Sequence, residues 1–314
     1  MLVTVVVCTH DLNNYENLVA AVRSLLAQTH RELEIVVVVD GNERLSELVA
    51  REYAGSTNVR VVPQRTRVGA SGAKNAGIKV ATGEVVAFLD DDAVAEPVWV
   101  GELLETYADY DAVGVGGRIV PIWLGSPPAY LPEELYWLVG GTHEGFAGEK
   151  VAVVRNTFAS NMSFKRQVFE EVGLFSERFG LVGKGTSYVQ AEEPEFALRV
   201  TRKLGRGVMY NPKAVVRHRV PPSKATSGVL LRRAFYQGYS KALLRRSSDS
   251  PDAIATEKSY LKGLLTTYIP RRVKRAYRMT ELEKLSFLMA CVGVVGLGFA
   301  YGYVRGRVPG WKRR

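Results

Sequence analysis

Cysteine is scarce. The 314 residues hold two, Cys8 and Cys291, far apart and in different surroundings. That argues against a disulfide or zinc framework and makes a reducing compartment the default. The first ten residues carry no basic segment ahead of an apolar run, so no secretory signal peptide is expected. No repeat and no low-complexity tract occurs. No glycine stands at the end of the first apolar run, "LVTVVVCTHD", where a dinucleotide fold needs Gly-x-Gly-x-x-Gly to open its helix. The glycines of "RVGASGAKNAG" come too late for that role. They are expected instead to let a helix pack closely on a sheet.

Acidic residues become rare late in the chain. Residues 1–220 hold 23 Lys/Arg against 27 Asp/Glu, a net charge of −4, while 221–314 hold 19 against 5, a net of +14. A basic tail on a near-neutral body implies an anionic partner, either nucleic acid or an acidic membrane surface. The tail interleaves its charges with apolar residues, as in "LLRRAFYQGYSKALLRR" and "YIPRRVKRAYR". That pattern favours helices lying on a membrane and no nucleic-acid partner. The stretch 285–304, "LSFLMACVGVVGLGFAYGYV", has 20 residues and no charge, the length of one bilayer crossing. Basic residues flank it on both sides, so charge bias gives no clear orientation.

The N-terminal half reads as strand and helix in alternation. "LVTVVVCTHD", "LEIVVVVDG", "VRVVP" and "GEVVAFLD" are strand runs. "YENLVAAVRSLLAQ", "NERLSELVAREYA" and "ASGAKNAGIKVAT" are the helices between them. A β-α-β-α-β-α-β order predicts an α/β fold, a Rossmann-like, mostly parallel sheet flanked by helices, with ligands beyond the carboxyl ends of the strands. Thr9, His10 and Asp11, then Asp40, then Asp90 to Asp92, end three of these strands and converge on one crevice. Further on, "DAVGVGGRIVP" and "GVMYNPKAVVRHRV" read as strands, "NTFASNMSFKRQVFEEVGLF" as strand then helix, and "SERFGLVGKGTSYVQ" as a flexible loop. In the Pro-punctuated stretch that follows the first of these strands, Trp123 and Trp137 are expected to pack in a core.

Three adjacent carboxylates repel one another unless a cation sits among them. A divalent metal uses one or two such groups plus substrate phosphates, so "FLDDDAV" predicts a metal and nucleotide site. Arg67 and Lys74 can approach the phosphates. His218 is a further candidate ligand, since imidazole suits Mn²⁺ better than Mg²⁺. In "AEEPEF", Pro194 disfavours helical geometry at Glu193, which is expected to cap the helix and project as a general base. Glu195 and Arg199, four apart, are expected to pair.

"VVVCTHD", "EIVVVVDG", "GASGAKNAGI", "GEVVAFLDDDAV", "NMSFKRQVFEEVGLF" and "AEEPEFALRV" together resemble family 2 glycosyltransferases of the GT-A fold, over about residues 1–220. "LPEELYWLVGGTHEGF", "VRNTF", "YNPKAVVRH" and "RRAFYQGYSKALL" resemble a narrower group, the archaeal glucosyl-dolichyl phosphate glucuronosyltransferases of N-glycan assembly. The resemblance implies a UDP-sugar donor, a dolichyl-phosphate-linked acceptor, Mn²⁺ or Mg²⁺, and a catalytic domain on the cytoplasmic side of the cell membrane. It implies that Thr9 and Asp40 line the uridine pocket and that Asp90 meets the ribose or metal-bound water. Asp92 would ligate the metal, helped by His218. Asp91 joins the nucleotide set with the weakest claim. The family's base is an Asp after a Glu; here Glu193 stands in its place, which leaves Glu192 and Glu193 as alternatives. Arg118 and Arg155, with Asn161, are candidates by location for the sugar and acceptor. The implied organisation is a catalytic domain at 1–220, basic amphipathic surface helices at 221–284, a transmembrane helix at 285–304 and a basic tail at 305–314.

Overall fold

Runs of β-branched residues bury both faces only inside a sheet covered on each side. Four such runs become parallel strands in a computed structural model that describes residues 1–179, 189–248 and 251–305. They are β1 (Val3–Thr9), β2 (Leu33–Asp40), β3 (Val59–Gln64) and β4 (Val85–Asp90), connected by α1 (Tyr15–Leu26), α2 (Glu43–Glu52) and α3 (Gly69–Val80). There follow β5 (Ala93–Ala95), α4 (Trp99–Tyr110), β6 (Gly114–Trp123), β7 (Ala152–Val154), β8 (Met162–Lys165), α5 (Arg166–Val172), α6 (Glu192–Leu204) and β9 (Val208–Val220). The nine strands run β3-β2-β1-β4-β8-β6-β9-β5, with β7 on β9. The β1–β4 half is parallel, as the alternating order requires. The pairs β4–β8, β6–β8, β5–β9 and β7–β9 are antiparallel.

The period-2 alternation of the strands divides the core. Val5, Val7, Ile35 and Val37 face α1, α2 and α4, including Leu18, Leu45 and the fully buried Trp99. Val6, Val36, Val38 and Phe88 face α3, α5 and α6, including Ala73, Phe169 and Phe196. On that face α3 comes very close to the sheet. A Cβ at Gly77 would stand 2.4 Å from Val6 Cγ1, the close approach expected of this small-residue helix.

The described residues form two compact units. Residues 1–120, 149–179 and 192–218 make the first, and 121–148, 189–191 and 219–305 the second. The sequence places one boundary near residue 220, whereas 121–148 groups with the second unit. The reason is apolar: Leu131, Leu135, Leu138 and Val139 pack with Leu230, Ala234, Leu264 and Leu288 of the C-terminal helices. Trp123 and Trp137 join that core, Trp123 edge-on to Tyr136 and Trp137 donating to the Tyr260 hydroxyl at 3.1 Å. Most of the loop expected at 176–190 lies outside the described residues, as does 306–314 of the basic tail.

The second unit contains α7 (Ser227–Ser247), α8 (Ala255–Gly263), α9 (Ile269–Val273) and α10 (Met279–Arg305), with a π-helical turn at Leu264–Tyr268. α10 is long and apolar enough to cross a membrane. It begins before the expected span, so 279–284 belong to this helix rather than to a separate surface element. Glycines let it touch α7: a Cβ at Gly238 would lie 2.0 Å from Val295 O, and one at Gly298 2.0 Å from Phe235 O. Small residues that admit a neighbouring backbone are the packing device of helices in lipid.

Charge fixes the foot of α10. Glu134 is fully buried and receives Arg272 through both oxygens, at 3.1 and 2.6 Å, with Arg271 at 3.2 Å. Arg272, 4% exposed, also reaches Glu133 and Glu281. Removing one partner of a buried pair strands the other charge. Glu134→Ala is therefore expected to destabilise the protein by roughly 3 kcal/mol, the low end for such a loss because two acidic partners remain. Glu144→Ala, at an exposed arginine contact, should cost less than about 1 kcal/mol. Denaturant unfolding in detergent measures both, and equal effects would refute the distinction.

Candidate active site

The site collects at the carboxyl ends of the parallel strands. Asp40 is the last residue of β2 and Asp90 the last of β4. The next turn carries Asp91 and Asp92 into β5, whose ladder sets Ala93 opposite His218 of β9. That register explains how residues 126 positions apart meet: His218 Nε2 lies 3.0 Å from Asp92 Oδ1. Asp90, Asp92 and His218 each offer an atom within 4.8 Å of the others. Two carboxylates and an imidazole are a donor set for a divalent cation of the Mg²⁺ or Mn²⁺ kind. The electrostatics agree. Burial, then the charge of Asp92, raises Asp90 above the ordinary carboxylate range, against the opposing pull of His218, Ser160 and Lys74. A bound cation would remove that penalty.

Asp91 has a different task. It accepts from the Thr9 hydroxyl at 2.6 Å and from Asn14 Nδ2 at 2.7 Å. Burial pushes it up to about 7 even against those two donors. It clamps the end of β1 and the turn before α1. Thr9 accordingly turns its hydroxyl to Asp91.

Asp40 holds the start of α3, accepting from Val68 N at 2.7 Å and Gly69 N at 2.9 Å. An acidic group suits the positive end of a helix. Each oxygen keeps a second lone pair for another donor. The approach requires Gly41, whose φ is +69° and where a Cβ would stand 2.5 Å from Arg67 N. Arg67 is exposed beside it.

Glu192 and Glu193 open α6 together. The helix starts two residues earlier than the proline rule indicated, so Glu193 lies inside the first turn rather than at its cap. Pro194 costs no hydrogen bond there, because first-turn N–H groups have no helical partner. Lys74 stabilises the turn, its Nζ 3.2 Å from Glu192 Oε1 and 3.7 Å from Glu193 Oε1. Lys74, which the sequence offered as a group able to approach phosphates, is thus paired with carboxylates. The expected Glu195–Arg199 pair forms at 2.7 Å.

Three candidates by location fare unequally. Asn161 is fully buried; its amide accepts from Trp99 Nε1 at 2.9 Å and donates to Arg118 O and Ala214 O. It braces the fold and has no surface to offer a sugar. Arg118 pairs with Glu149 at 2.5 Å, and Arg155 donates from Nε to Asn156 Oδ1. Ser160, which donates to Asp90, and Asn14 were not anticipated. Neither sits in a pattern that carries chemistry by itself.

A family model described as glycosyl transferase family 2 matches residues 4–173. The chain belongs to glycosyltransferase family 2. This transferase is 39% identical over 306 residues to the glucosyl-dolichyl phosphate glucuronosyltransferase of Haloferax volcanii, covering 96% of each chain. In fold it is similar to the mannosyltransferase PcManGT of Pyrobaculum calidifontis, solved with GDP-Man and Mn²⁺, at a TM-score of 0.61 and 16% identity over 95% of this chain and 87% of that one. It is similar also to S. aureus TarS solved with UDP, at a TM-score of 0.56 and 14% identity over 96% and 83%. These likenesses establish the GT-A type of fold for the transferase.

Proposed function

We propose that this transferase moves a sugar, glucuronate as the first choice, from a UDP-sugar to a dolichyl-phosphate-linked sugar in N-glycan assembly, by one inverting displacement. The observation that carries the chemistry is the grouping of Asp90, Asp92 and His218 beyond the strands that also end in Asp40. The name of the H. volcanii relative, alike along nearly the whole of both chains, supports the donor and acceptor. α10, of which only 22% of the apolar window is buried within the chain, supports attachment to the membrane that holds such an acceptor.

In this reading Asp40 accepts from the uracil ring and Asp90 lies on the ribose side. Asp92, His218 and Asp90 hold a divalent ion, which when bound supplies positive charge to the departing diphosphate. Glu193 takes the proton of the acceptor hydroxyl as its oxygen bonds to the anomeric carbon and the bond from that carbon to UDP breaks. The attack comes from the face opposite the nucleotide, and no covalent enzyme intermediate forms. Arg155 and Arg118 are the cations assigned to a glucuronate carboxylate.

The test is purified full-length protein with Mn²⁺, a panel of UDP-sugars, and either glucosyl-dolichyl phosphate or bare dolichyl phosphate, read by mass spectrometry. The expected product is the glucosyl lipid heavier by one glucuronate. Labelling of bare dolichyl phosphate alone would make the protein a dolichyl-phosphate sugar synthase instead.

A further inference from the structure

Lys74 is poorly placed to be a phosphate ligand. Its side chain is 6% exposed and its ammonium lies 5.6 Å from the centre of the Phe175 ring. The titratable groups whose charge it feels are Glu192 and Glu193 of α6, Asp90 of β4 and Cys8 of β1. A desolvated ammonium with two carboxylates in reach is committed to them, since any move toward another anion would strand charge in the interior. Its stem leaves α3, which is held close to the sheet at Gly77. The cation is therefore fixed and the two carboxylates arrange themselves about it.

Those carboxylates are not equivalent. Glu192 is the buried one, and its Oε2 has no hydrogen-bond partner among the described residues. Glu193 is the more exposed, at 17% of its side chain. One ammonium cannot neutralise both. Burial, then the neighbouring charge of Glu193, raises Glu192 to about 7, with Lys74 opposing. Burial thus favours the neutral form of the inner member.

Resting on the reading of Glu193 as the base, we infer that Lys74 is the positioning residue of the carboxylate pair: it anchors Glu192 as a buried spacer and presents Glu193 to the acceptor hydroxyl. Its charge then serves proton transfer and not donor binding. The choice between two adjacent glutamates, which their order in the chain leaves open, is made by a lysine 118 residues away.

The sign of the effect follows from the charge. A nearby cation favours ionised carboxylates, so its loss moves the acid limb of the rate profile to higher pH. Lys74→Met is expected to lower kcat roughly 10- to 100-fold, leave the donor KM within about twofold, and move the acid limb up by about one pH unit. Glu192→Gln removes the competing carboxylate and should move that limb down. An unmoved limb with a donor KM raised tenfold or more would make Lys74 a phosphate ligand and overturn the inference. If Lys74→Met fails to fold, judged by circular dichroism, Lys74→Gln takes its place, and an unmoved limb in both Lys74→Gln and Glu192→Gln overturns the inference. Carbon-13 titration of Glu192 separates this inference from the base assignment. Its midpoint should rise in Lys74→Met, or in Lys74→Gln if the first variant does not fold, whether or not turnover is seen. An unchanged midpoint sinks the inference. A raised midpoint together with wild-type turnover in Glu193→Gln would sink the base assignment alone.

Discussion

Glu193→Gln should reduce turnover by about 10³-fold while leaving UDP affinity within about twofold. The amide keeps the length and the hydrogen-bonding shape of the side chain, so the loss isolates its ability to take a proton. Glu193 is the candidate because it is less buried than Glu192 and only partly engaged, at 3.7 Å from Lys74. Glu192 is nearer the ammonium and buried to 6% of its side chain. Substitution at Glu192 should therefore change the pH profile more than the maximal rate. Single-turnover transfer, with calorimetric UDP binding as the control, measures the contrast. Full loss in Glu192→Gln with activity retained in Glu193→Gln would reverse the two roles.

Features carried by periodicity were legible in the sequence. The β-α-β-α-β-α-β run, the strand ends at Asp40 and Asp90, and the close packing of α3 all follow from local pattern. His218 stands as a candidate ligand only because the carboxylates imply a metal, since a lone histidine at a strand end is more often structural. Features carried by distant contacts were not legible. Lys74 sits in a small-residue helix next to glycines, and that setting suggested phosphates. Only the fold brings α6 beneath it. Asn161 is a second case in which distant contacts decide a side chain's surroundings. It is a sugar or acceptor candidate by location, and in the fold Trp99 and two backbone carbonyls use its amide. The segment 121–148 misled for a related reason. Its apolar residues match helices that follow more than 80 positions later, and no local rule reports such a match.

Asp92→Ala is expected to abolish metal-dependent UDP binding and to lower kcat/KM by about 10³-fold. The size follows from what the three aspartates share. Asp91 is occupied by Thr9 and Asn14, and Asp90 takes a hydrogen bond from Ser160, so Asp92 is the member that faces His218 across the ligand cluster. Without it a divalent ion would keep one carboxylate and one imidazole, too few to hold it against hydration. His218→Asn leaves both carboxylates and should cost less, about 10- to 100-fold. Asp91→Asn keeps a hydrogen-bond acceptor for its two donors and removes a repelling charge, so its effect should fall on stability and be small. Titration of Mn²⁺ with UDP into each variant orders the three without reference to turnover. The carboxylates of "FLDDDAV" are thus expected to differ by orders of magnitude in consequence, although they are identical in type and adjacent in the chain. Equal metal-dependent UDP affinity in Asp91→Asn and Asp92→Ala would show that the cluster does not hold the ion in the way proposed.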